Sequence, residues 1–255
     1  MLFDTHAHLN DDKFEPDRDE MIRKSFDEGI TLIMNPGADM KSSQGSVLLS
    51  QKYEFIYCAV GVHPHSAEEM DEKSIEMLAD LAKDKKVRAI GEIGLDYFRD
   101  LSPRETQRQK FIEQIDLAKQ LHLPIIVHDR ESHGDVLSIL KKENIKQIGG
   151  ILHSFSGSLE MAIECIKLGM EISISGPVTF SNNRKTIEVV QGISLEHLLI
   201  ETDSPYLTPV PFRGKRNYPG LVKLVAEKIA EIKGIKYEEV GRVTFENGKR
   251  IFKLQ

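Results

Sequence analysis

Four histidines and two acidic residues lie at or near the ends of short apolar runs in this sequence, where they could together hold metal ions. The six residues are His6, His8, Glu92, His128, His153 and Asp203. Imidazole and carboxylate groups are ordinary ligands of zinc and related divalent ions. Gathered at one place without a cation, they would leave polar groups unsatisfied and like charges close together. The set therefore predicts a metal site, although each histidine taken alone is better explained as a hydrogen-bonded core residue.

Local spacing supports this interpretation at two places. His6 and His8 are two residues apart at the end of an apolar run, so in a strand both imidazoles point to the same side. Glu92 lies between Ile90 and Ile93 in an apolar run. An ionised carboxylate among apolar neighbours is costly unless a positive charge balances it. Both patterns indicate side chains that converge on a cation.

The elements that must position these side chains form a repeating pattern. Short runs rich in valine and isoleucine alternate with stretches of helical spacing, which is typical of parallel strands buried on both faces. The runs span 2–7, 31–35, 55–62, 87–93, 124–128, 149–153, 171–175 and 198–202. Eight βα units predict an α/β protein with a single (β/α)₈ TIM barrel domain over residues 1–255. Residues 235–252 predict an additional C-terminal helix, and no G-x-G-x-x-G motif follows the first run to favour an open sheet.

One helix start is marked clearly. Ser102, Pro103 and Glu105 have the spacing of a capping box with proline at the first helical position, so a helix should begin just after the fourth run with Ser102 as its cap. In a barrel of this kind the active site is built from the carboxyl ends of the strands and the loops that follow. The six candidate ligands should therefore meet at one mouth.

Composition excludes several classes of protein. The chain has 255 residues, 40% of them hydrophobic and 29% charged, with a net charge of −6, which argues against a protein that coats nucleic acid with a broad positive surface. No apolar stretch approaches the roughly 18 residues of a membrane span. The N-terminus lacks the pattern of a signal peptide, and Cys58 and Cys165 lie in apolar surroundings, as expected of reduced core cysteines. We expect a cytoplasmic protein with no obligate protein partner.

Six motifs occur in order along the chain: DTHAH, GVHPH, GEIGLDY, VHDR, HSFSG and ETDSPYL. With these motifs the sequence from Asp4 to Tyr206 resembles the TatD family of metal-dependent hydrolases and deoxyribonucleases. The resemblance implies a site for two divalent ions, in which His6, His8 and Asp203 hold one ion, His128 and His153 hold the other, and Glu92 bridges the two. The first histidine pair, which some members of the family lack, is intact here.

A mixed imidazole and carboxylate set suits Zn, Mn, Fe, Co or Ni ions better than Mg or Ca, although Mg can support activity in assays. Two such ions can share a water, lower its pKa toward neutrality and stabilise the oxygens of a phosphodiester. Asp203 is the candidate general base, and the alternative for Asp203 is a role as a metal ligand alone. Glu92 takes a catalytic role through the bridge.

Substrate contacts are less specific in the sequence. His63 and His65 lie at the same rim and by resemblance contact a substrate phosphate, or they form a structural pair around the Pro64 turn. Arg130 could bind phosphate through two hydrogen bonds or pair with a loop acid. Asp96 could orient ligands or meet substrate, and its alternative is a hydrogen bond that stabilises the loop.

The segment 211–216 is a basic loop placed where barrels often bind phosphate, and Phe212 within it could stack on a base. A solvated charge cluster is the alternative. Together with the resemblance, this loop favours a DNA phosphodiesterase of the 3′→5′ exonuclease type acting on DNA ends. A barrel hydrolase of amides, lactones or small phosphate esters is the second hypothesis, although such relatives often bridge their metals with a modified lysine. A non-catalytic metal-binding barrel is the third.

Overall fold

A computed structural model describes residues 1–254 of the chain; Gln255, the last residue of the predicted domain, lies outside the described residues. Within that range eight parallel strands alternate with helices. The strands are β1 (Leu2–Asp4), β2 (Ile30–Pro36), β3 (Ile56–Val60), β4 (Val87–Asp96), β5 (Ile125–Arg130), β6 (Gly150–Leu152), β7 (Met170–Ile174) and β8 (Leu198–Ile200). The α-helices are α1 (Arg18–Asp27), α2 (Met40–Lys52), α3 (Glu72–Leu81), α4 (Arg104–Leu121), α5 (His133–Lys142), α6 (Leu159–Lys167), α7 (Arg184–Gly192), α8 (Val222–Lys233) and α9 (Tyr237–Ile251).

The sheet runs in sequence order from β1 to β8, with each strand parallel to the next. Backbone hydrogen bonds beyond the strand ends join the last strand to the first. The amide of Thr5 donates to the carbonyl of Ile200 at 3.1 Å, and the amide of His8 donates to the carbonyl of Ser204 at 2.8 Å. A parallel bridge between Ala7 and Ser204 lies between them. The strands therefore form a (β/α)₈ barrel, and α9 is the predicted C-terminal helix, so the predicted fold is confirmed.

Apolar side chains fill the barrel interior toward its amino end. They come from the middle of most strands and from the segment after α9, and they form one buried cluster of Phe3, Met34, Ala59, Ala89, Ile126, Ile151, Leu199 and Phe252. Since strand side chains alternate, the residue two positions beyond an inward apolar residue also points inward. His128 thus follows Ile126, and Glu201 follows Leu199. The interior is apolar at the amino end and polar at the carboxyl end.

Helix α4 shows how the outer layer is held. Phe111, Ile115 and Ala118 are buried at helical spacing, which gives the helix one apolar face toward the sheet. The helix begins near the predicted position, but the predicted cap is wrong, because Pro103 occupies the cap and no side chain bonds there. The Ser102 hydroxyl instead donates to the carbonyl of His65 at 3.0 Å. The serine therefore ties the loop after β3 to the start of α4.

An irregularity in β4 turns Glu92 inward. The register against β5 shifts between Ile90 and Ile93, so the simple alternation of the strand is broken at this point. Gly91 allows the close approach, because a Cβ atom there would lie 2.6 Å from the Cβ of Ile126. Glu92 consequently reaches the polar end of the interior from the middle of a strand.

Two smaller predictions concern the cysteines and the membrane. Cys58 and Cys165 are both unpaired and buried, as predicted. Among residues 1–254 no helix combines the length and the apolar character needed to cross a bilayer.

Candidate metal centre

The six predicted ligands meet at the carboxyl end of the barrel. His6 and His8 follow β1, Glu92 lies within β4, and His128 lies within β5. His153 directly follows β6, and Asp203 lies three residues beyond β8. Their ligand atoms are close enough to one another to form hydrogen bonds or ion contacts. The structure therefore brings together a set that the sequence spreads over nearly two hundred residues.

Glu92 stands between two pairs of histidines, and each of its oxygens faces one pair. Oε2 lies 3.3 Å from His6 Nε2 and 3.4 Å from His8 Nε2. Oε1 lies 2.8 Å from His128 Nδ1 and 2.9 Å from His153 Nε2. A carboxylate placed in this way can bridge two cations, one on each side.

The spacing of the first group fits a metal ion. In a tetrahedral site with bonds of about 2.0–2.1 Å, neighbouring ligand atoms lie about 3.3 Å apart. His6 Nε2 and His8 Nε2 are 3.1 Å apart, and Asp203 Oδ1 is 3.7 Å and 3.6 Å from these two nitrogens. With the Glu92 contacts, these distances bracket the expected value. The nitrogen and oxygen donors are also those that Zn and similar ions accept.

Within residues 1–254 the protein provides no lysine or arginine to balance the negative charges of the carboxylates in the centre. Among the described residues, every ion-pair contact of Glu92, Glu201 and Asp203 is with a histidine, and none is with lysine or arginine. Burial alone would raise the pKa of Glu92, but positive charge available on the surrounding histidines lowers it well below its usual range. Burial and the nearby His153 lower the pKa of His6. A neutral imidazole beside an ionised carboxylate is the state that a metal ligand requires.

Asp203 is held in place by its backbone. Its φ angle is 54°, a left-handed conformation that is uncommon outside glycine and often marks functional positions. Its amide donates to the carbonyl of His6 at 2.9 Å, which couples the loop after β8 to the loop after β1. Burial raises the pKa of Asp203, while the surrounding histidines act in the opposite direction.

Glu201 belongs to the same centre, although the sequence analysis did not single it out. It is fully buried, and Oε1 accepts hydrogen bonds from the Ser154 amide at 2.7 Å and from His153 Nδ1 at 3.2 Å. Glu201 Oε2 and His6 Nδ1 have no hydrogen-bond partner among the described residues. The signal for Glu201 was its spacing of two residues from Asp203, the same spacing that drew attention to His6 and His8.

The ligand atoms can be grouped in more than one way. Three sets have ligand atoms within 4.8 Å of one another. They are His6 with His8 and Asp203, His6 with His153 and Glu201, and His63 with Glu92 and His128. The histidines and carboxylates thus offer several overlapping positions for a cation.

His63, His65 and Asp96 form a second layer beside the centre. His63 Nε2 lies 3.5 Å from Glu92 Oε1, and its Nδ1 accepts from the His65 amide at 3.1 Å. Burial and the charge of His128 lower the pKa of His63 to about 3, so this imidazole is neutral. Asp96 is buried, and its Oδ2 lies 2.8 Å from His65 Nε2 and 3.2 Å from His128 Nε2. This arrangement favours the orienting role for Asp96.

Arg130 and the basic loop lie outside the ligand cluster. Arg130 is exposed, its guanidinium lies 4.0 Å from the centre of the Phe98 ring, and no carboxylate oxygen of residues 1–254 lies within 4.0 Å of it. The alternative of a salt bridge is therefore not observed. In the loop 211–216, Arg216 pairs with Asp17 at 2.5 Å, whereas Arg213 and Lys215 have no carboxylate partner among the described residues.

A (β/α)₈ barrel that gathers imidazoles and carboxylates at its carboxyl-terminal mouth has the architecture of a metal-dependent hydrolase. A family model described as TatD related DNase matches residues 3–253. The chain therefore belongs to the TatD family, as the motifs predicted.

Named relatives agree with this assignment along the whole chain. A Bacillus subtilis (strain 168) protein named uncharacterized metal-dependent hydrolase YabD is 47% identical over 254 residues, covering 100% of both chains. A Shigella flexneri serotype 5b protein named 3′-5′ ssDNA/RNA exonuclease TatD is 32% identical over 259 residues, covering 98% of each. The crystal structure of the TatD homologue YJJV from Escherichia coli K12 superposes with a TM-score of 0.94 at 30% identity, covering 100% of this chain and 98% of the other.

Proposed function

We propose that this protein is a phosphodiesterase that removes nucleotides from the 3′ end of DNA, using two divalent ions held at the mouth of one barrel domain. One observation carries the proposal: the two oxygens of Glu92 face different pairs of histidines. A bridged pair of ions suits phosphodiesters, because both the attacking and the leaving oxygen need stabilisation. The name of the Shigella relative supports the nuclease assignment.

In this proposal His6, His8 and Asp203 would hold one ion, His128 and His153 would hold the other, and Glu92 would contribute to both. Bound ions of this kind would supply Lewis acidity, which makes a water more acidic and offsets negative charge on a phosphate. Glu201 and Asp96 orient the imidazoles of His153 and His128 through their hydrogen bonds. The two buried acids thereby fix which ring nitrogen is free to act as a ligand.

Asp203 accepts the proton of the attacking water in this account. Only one of its oxygens faces the histidine pair, so the second is available to the nucleophile. The water oxygen attacks phosphorus, and the bond from phosphorus to the 3′ oxygen of the remaining strand breaks. That oxygen then takes up a proton and becomes the new 3′ hydroxyl, while the released nucleotide keeps its phosphate.

His63 and Arg130 are placed to meet the substrate phosphate. Since His63 Nδ1 accepts a backbone hydrogen bond, its neutral ring carries the proton on Nε2, which can donate to a phosphate oxygen. Arg130 has no carboxylate partner and can bind phosphate with two parallel hydrogen bonds. His65 is tied to Asp96 and supports the site from the side. A cytoplasmic location is part of the proposal and is supported by two buried unpaired cysteines.

The test is degradation of single-stranded DNA labelled at its 5′ end, with Mn²⁺ or Mg²⁺, a chelated control and the variant Asp203→Asn. We expect stepwise shortening from the 3′ end that needs both the metal and Asp203. Glu171→Gln is the matched control, because Glu171 is a buried carboxylate near the opposite end of the barrel. Intact DNA beside hydrolysis of an amide, a lactone or a small phosphate ester would overturn the proposal and favour the other hydrolase class.

A further inference from the structure

Exposed apolar side chains are concentrated at the mouth of the barrel. Half of the large hydrophobic side chains that are exposed among residues 1–254 lie in two loops, one after β4 and one after β8. These are Phe98 and Leu101 in the first loop, and Tyr206, Val210 and Phe212 in the second. Single exposed apolar residues need no explanation, but a cluster around a catalytic cleft indicates a binding surface.

The first group, which we call the β4 platform, consists of Phe98 and Arg130. Phe98 is 53% exposed and is covered on one side by the Arg130 guanidinium, 4.0 Å from the ring centre. Arg130 is two residues beyond His128 in β5 and is paired in register with Asp96. It therefore points to the same side as His128, one step farther out. The platform therefore lies beyond His128, at the carboxyl ends of β4 and β5.

The second group, the β8 platform, consists of Phe180, Phe212, Arg213 and Lys215. Arg213 lies 4.4 Å from the centre of the Phe180 ring, and Lys215 lies 5.7 Å from that of Phe212, which is 39% exposed. As at the β4 platform, neither cation has a carboxylate partner among the described residues. The loop is anchored to the segment after β7, because the Val210 amide donates to Thr179 Oγ1 at 2.9 Å.

The two platforms lie on opposite sides of the mouth. The strands follow one another around the ring in sequence order, so β4 and β8 are separated by half of the circumference. The candidate ligands lie between them, since they come from β1, β4, β5, β6 and β8. A strand bound at both platforms would therefore cross the mouth at which the candidate ligands meet.

An aromatic face beside an unpaired cation suits one class of ligand particularly well. Bases of single-stranded nucleic acid stack on aromatic rings, and the phosphates between the bases are attracted to arginine and lysine. In a duplex the bases are already stacked and paired, so their faces are not free to meet the rings.

We propose that the β4 and β8 platforms are two stacking subsites that hold unpaired bases on either side of the phosphodiester that is cut. One base belongs to the nucleotide that is released and the other to the remaining strand. This inference rests on the proposed phosphodiesterase function. It adds that the enzyme holds its substrate through the faces of the bases and not through their sequence.

The test measures binding of a short oligothymidylate with phosphorothioate linkages, which slow its cleavage, to the Mn²⁺-loaded protein by fluorescence anisotropy. The variants are Phe98→Ala and Phe212→Ala, with Phe98→Tyr as a variant that keeps the ring. Phe26→Ala is the matched control, because Phe26 is 46% exposed but packs on Phe55 beside α1, away from the mouth. An abasic oligomer with the same backbone serves as the second ligand.

We expect each mouth variant to raise the Kd for oligothymidylate about tenfold, as the loss of one stacked base would. Phe98→Tyr and Phe26→Ala should bind like the parent, and no variant should change binding of the abasic oligomer. Unchanged binding by Phe98→Ala and Phe212→Ala, or an equal loss for both ligands, overturns the stacking subsites. DNA degradation by the parent protein, followed in parallel, decides the proposed function separately, since an enzyme can cleave DNA without these platforms.

Discussion

Two buried glutamates near opposite ends of the same barrel each contact a histidine, and they obtain their positive charge differently. At the mouth, Glu201 contacts His153 Nδ1 at 3.2 Å and has no cationic neighbour besides histidine among the described residues. At the amino end, Glu171 contacts His197 Nδ1, also at 3.2 Å, and pairs with Arg250 at 2.9 Å. The residue types and distances match, and the two sites differ in the source of the compensating charge and in the exposure of the histidine, which is 5% for His153 and 40% for His197.

The amino-end pair is complete within the chain. Arg250, from α9, supplies a permanent positive charge. The adjoining cavity of about 380 Å³ is open to water and is lined by further acids and by a second arginine, Arg242. The mouth instead combines three carboxylates with histidines and leaves two buried polar atoms without partners. A polar cluster that lacks its own counter-charge requires a cation from outside. The comparison therefore separates a structural pair from a candidate metal site.

The largest expected effect comes from breaking the bridge at the mouth. Glu92→Gln keeps the shape of the side chain but removes the charge that faces both histidine pairs. We expect the bound metal to fall to one ion per chain or fewer and turnover to fall by more than about 100-fold, beyond the usual effect of a residue that only orients a ligand. Elemental analysis and DNA degradation measure the two quantities. Full metal content with normal turnover would contradict the bridging role.

The second effect sharpens the comparison between the two glutamates. Glu201→Gln weakens the hydrogen bond that orients His153, so we expect metal affinity to fall by about 10–100-fold. Glu171→Gln makes the equivalent change at the amino end and should leave metal affinity unaltered. Competition with a chelator measures both variants under the same conditions. Equal losses in the two variants would show that the contrast between the ends of the barrel is mistaken.

The third effect concerns stability and the removal of metal. An ion present at about 100 times its Kd stabilises the folded state by about 2.7 kcal/mol, so chelation should lower the Tm of the parent protein by several degrees. Arg250→Met should cost about 1 kcal/mol with or without the chelator, because this arginine is half exposed and acts at the other end. Calorimetry with and without chelator tests both statements. If the chelator lowers the Tm of the parent protein and of Arg250→Met by different amounts, the two ends of the barrel are coupled, which would contradict the comparison.

The smallest expected effect is on stability and comes from Glu164, an exposed carboxylate on α6. It serves as a reference for an ion pair that is open to solvent. Lys167 and Lys141 lower the pKa of Glu164 from its ordinary value of 4.5 to about 2. Since the folded-state pKa is the lower one, this contribution to stability is present above pH 4.5 and is lost as the pH falls toward 2. The stability difference between the parent and Glu164→Gln should therefore be small near neutral pH and vanish in acid. Chemical denaturation at both pH values measures it, and a difference that grows in acid would reverse the assigned sign.

Much of the fold could be predicted because buried parallel strands leave near-continuous apolar runs in the sequence. The predicted run 2–7 nevertheless extends beyond β1, which ends at Asp4. His6 and His8 lie outside the strand, and their imidazole nitrogens still converge to 3.1 Å. The alternation argument thus reached the right expectation although the backbone there is not a regular strand.

The missed features depend on contacts between distant segments. The hydroxyl of Ser102 was expected to cap α4, but the carbonyl of His65, far away in the sequence, accepts its proton. Glu201 was overlooked because its role depends on His153, which follows a different strand. The stacking of Arg130 on Phe98 likewise joins the end of β5 to the loop after β4. No pattern within a short stretch of the sequence could have predicted these contacts.

The central claim is that the mouth holds two ions bridged by Glu92, and Mn²⁺ titration followed by electron paramagnetic resonance tests it most directly. The account predicts two Mn²⁺ per chain with a spin-coupled signal in the parent protein and loss of that coupling in Glu92→Gln. Binding of a single ion, or two uncoupled ions that persist unchanged in Glu92→Gln, would contradict it.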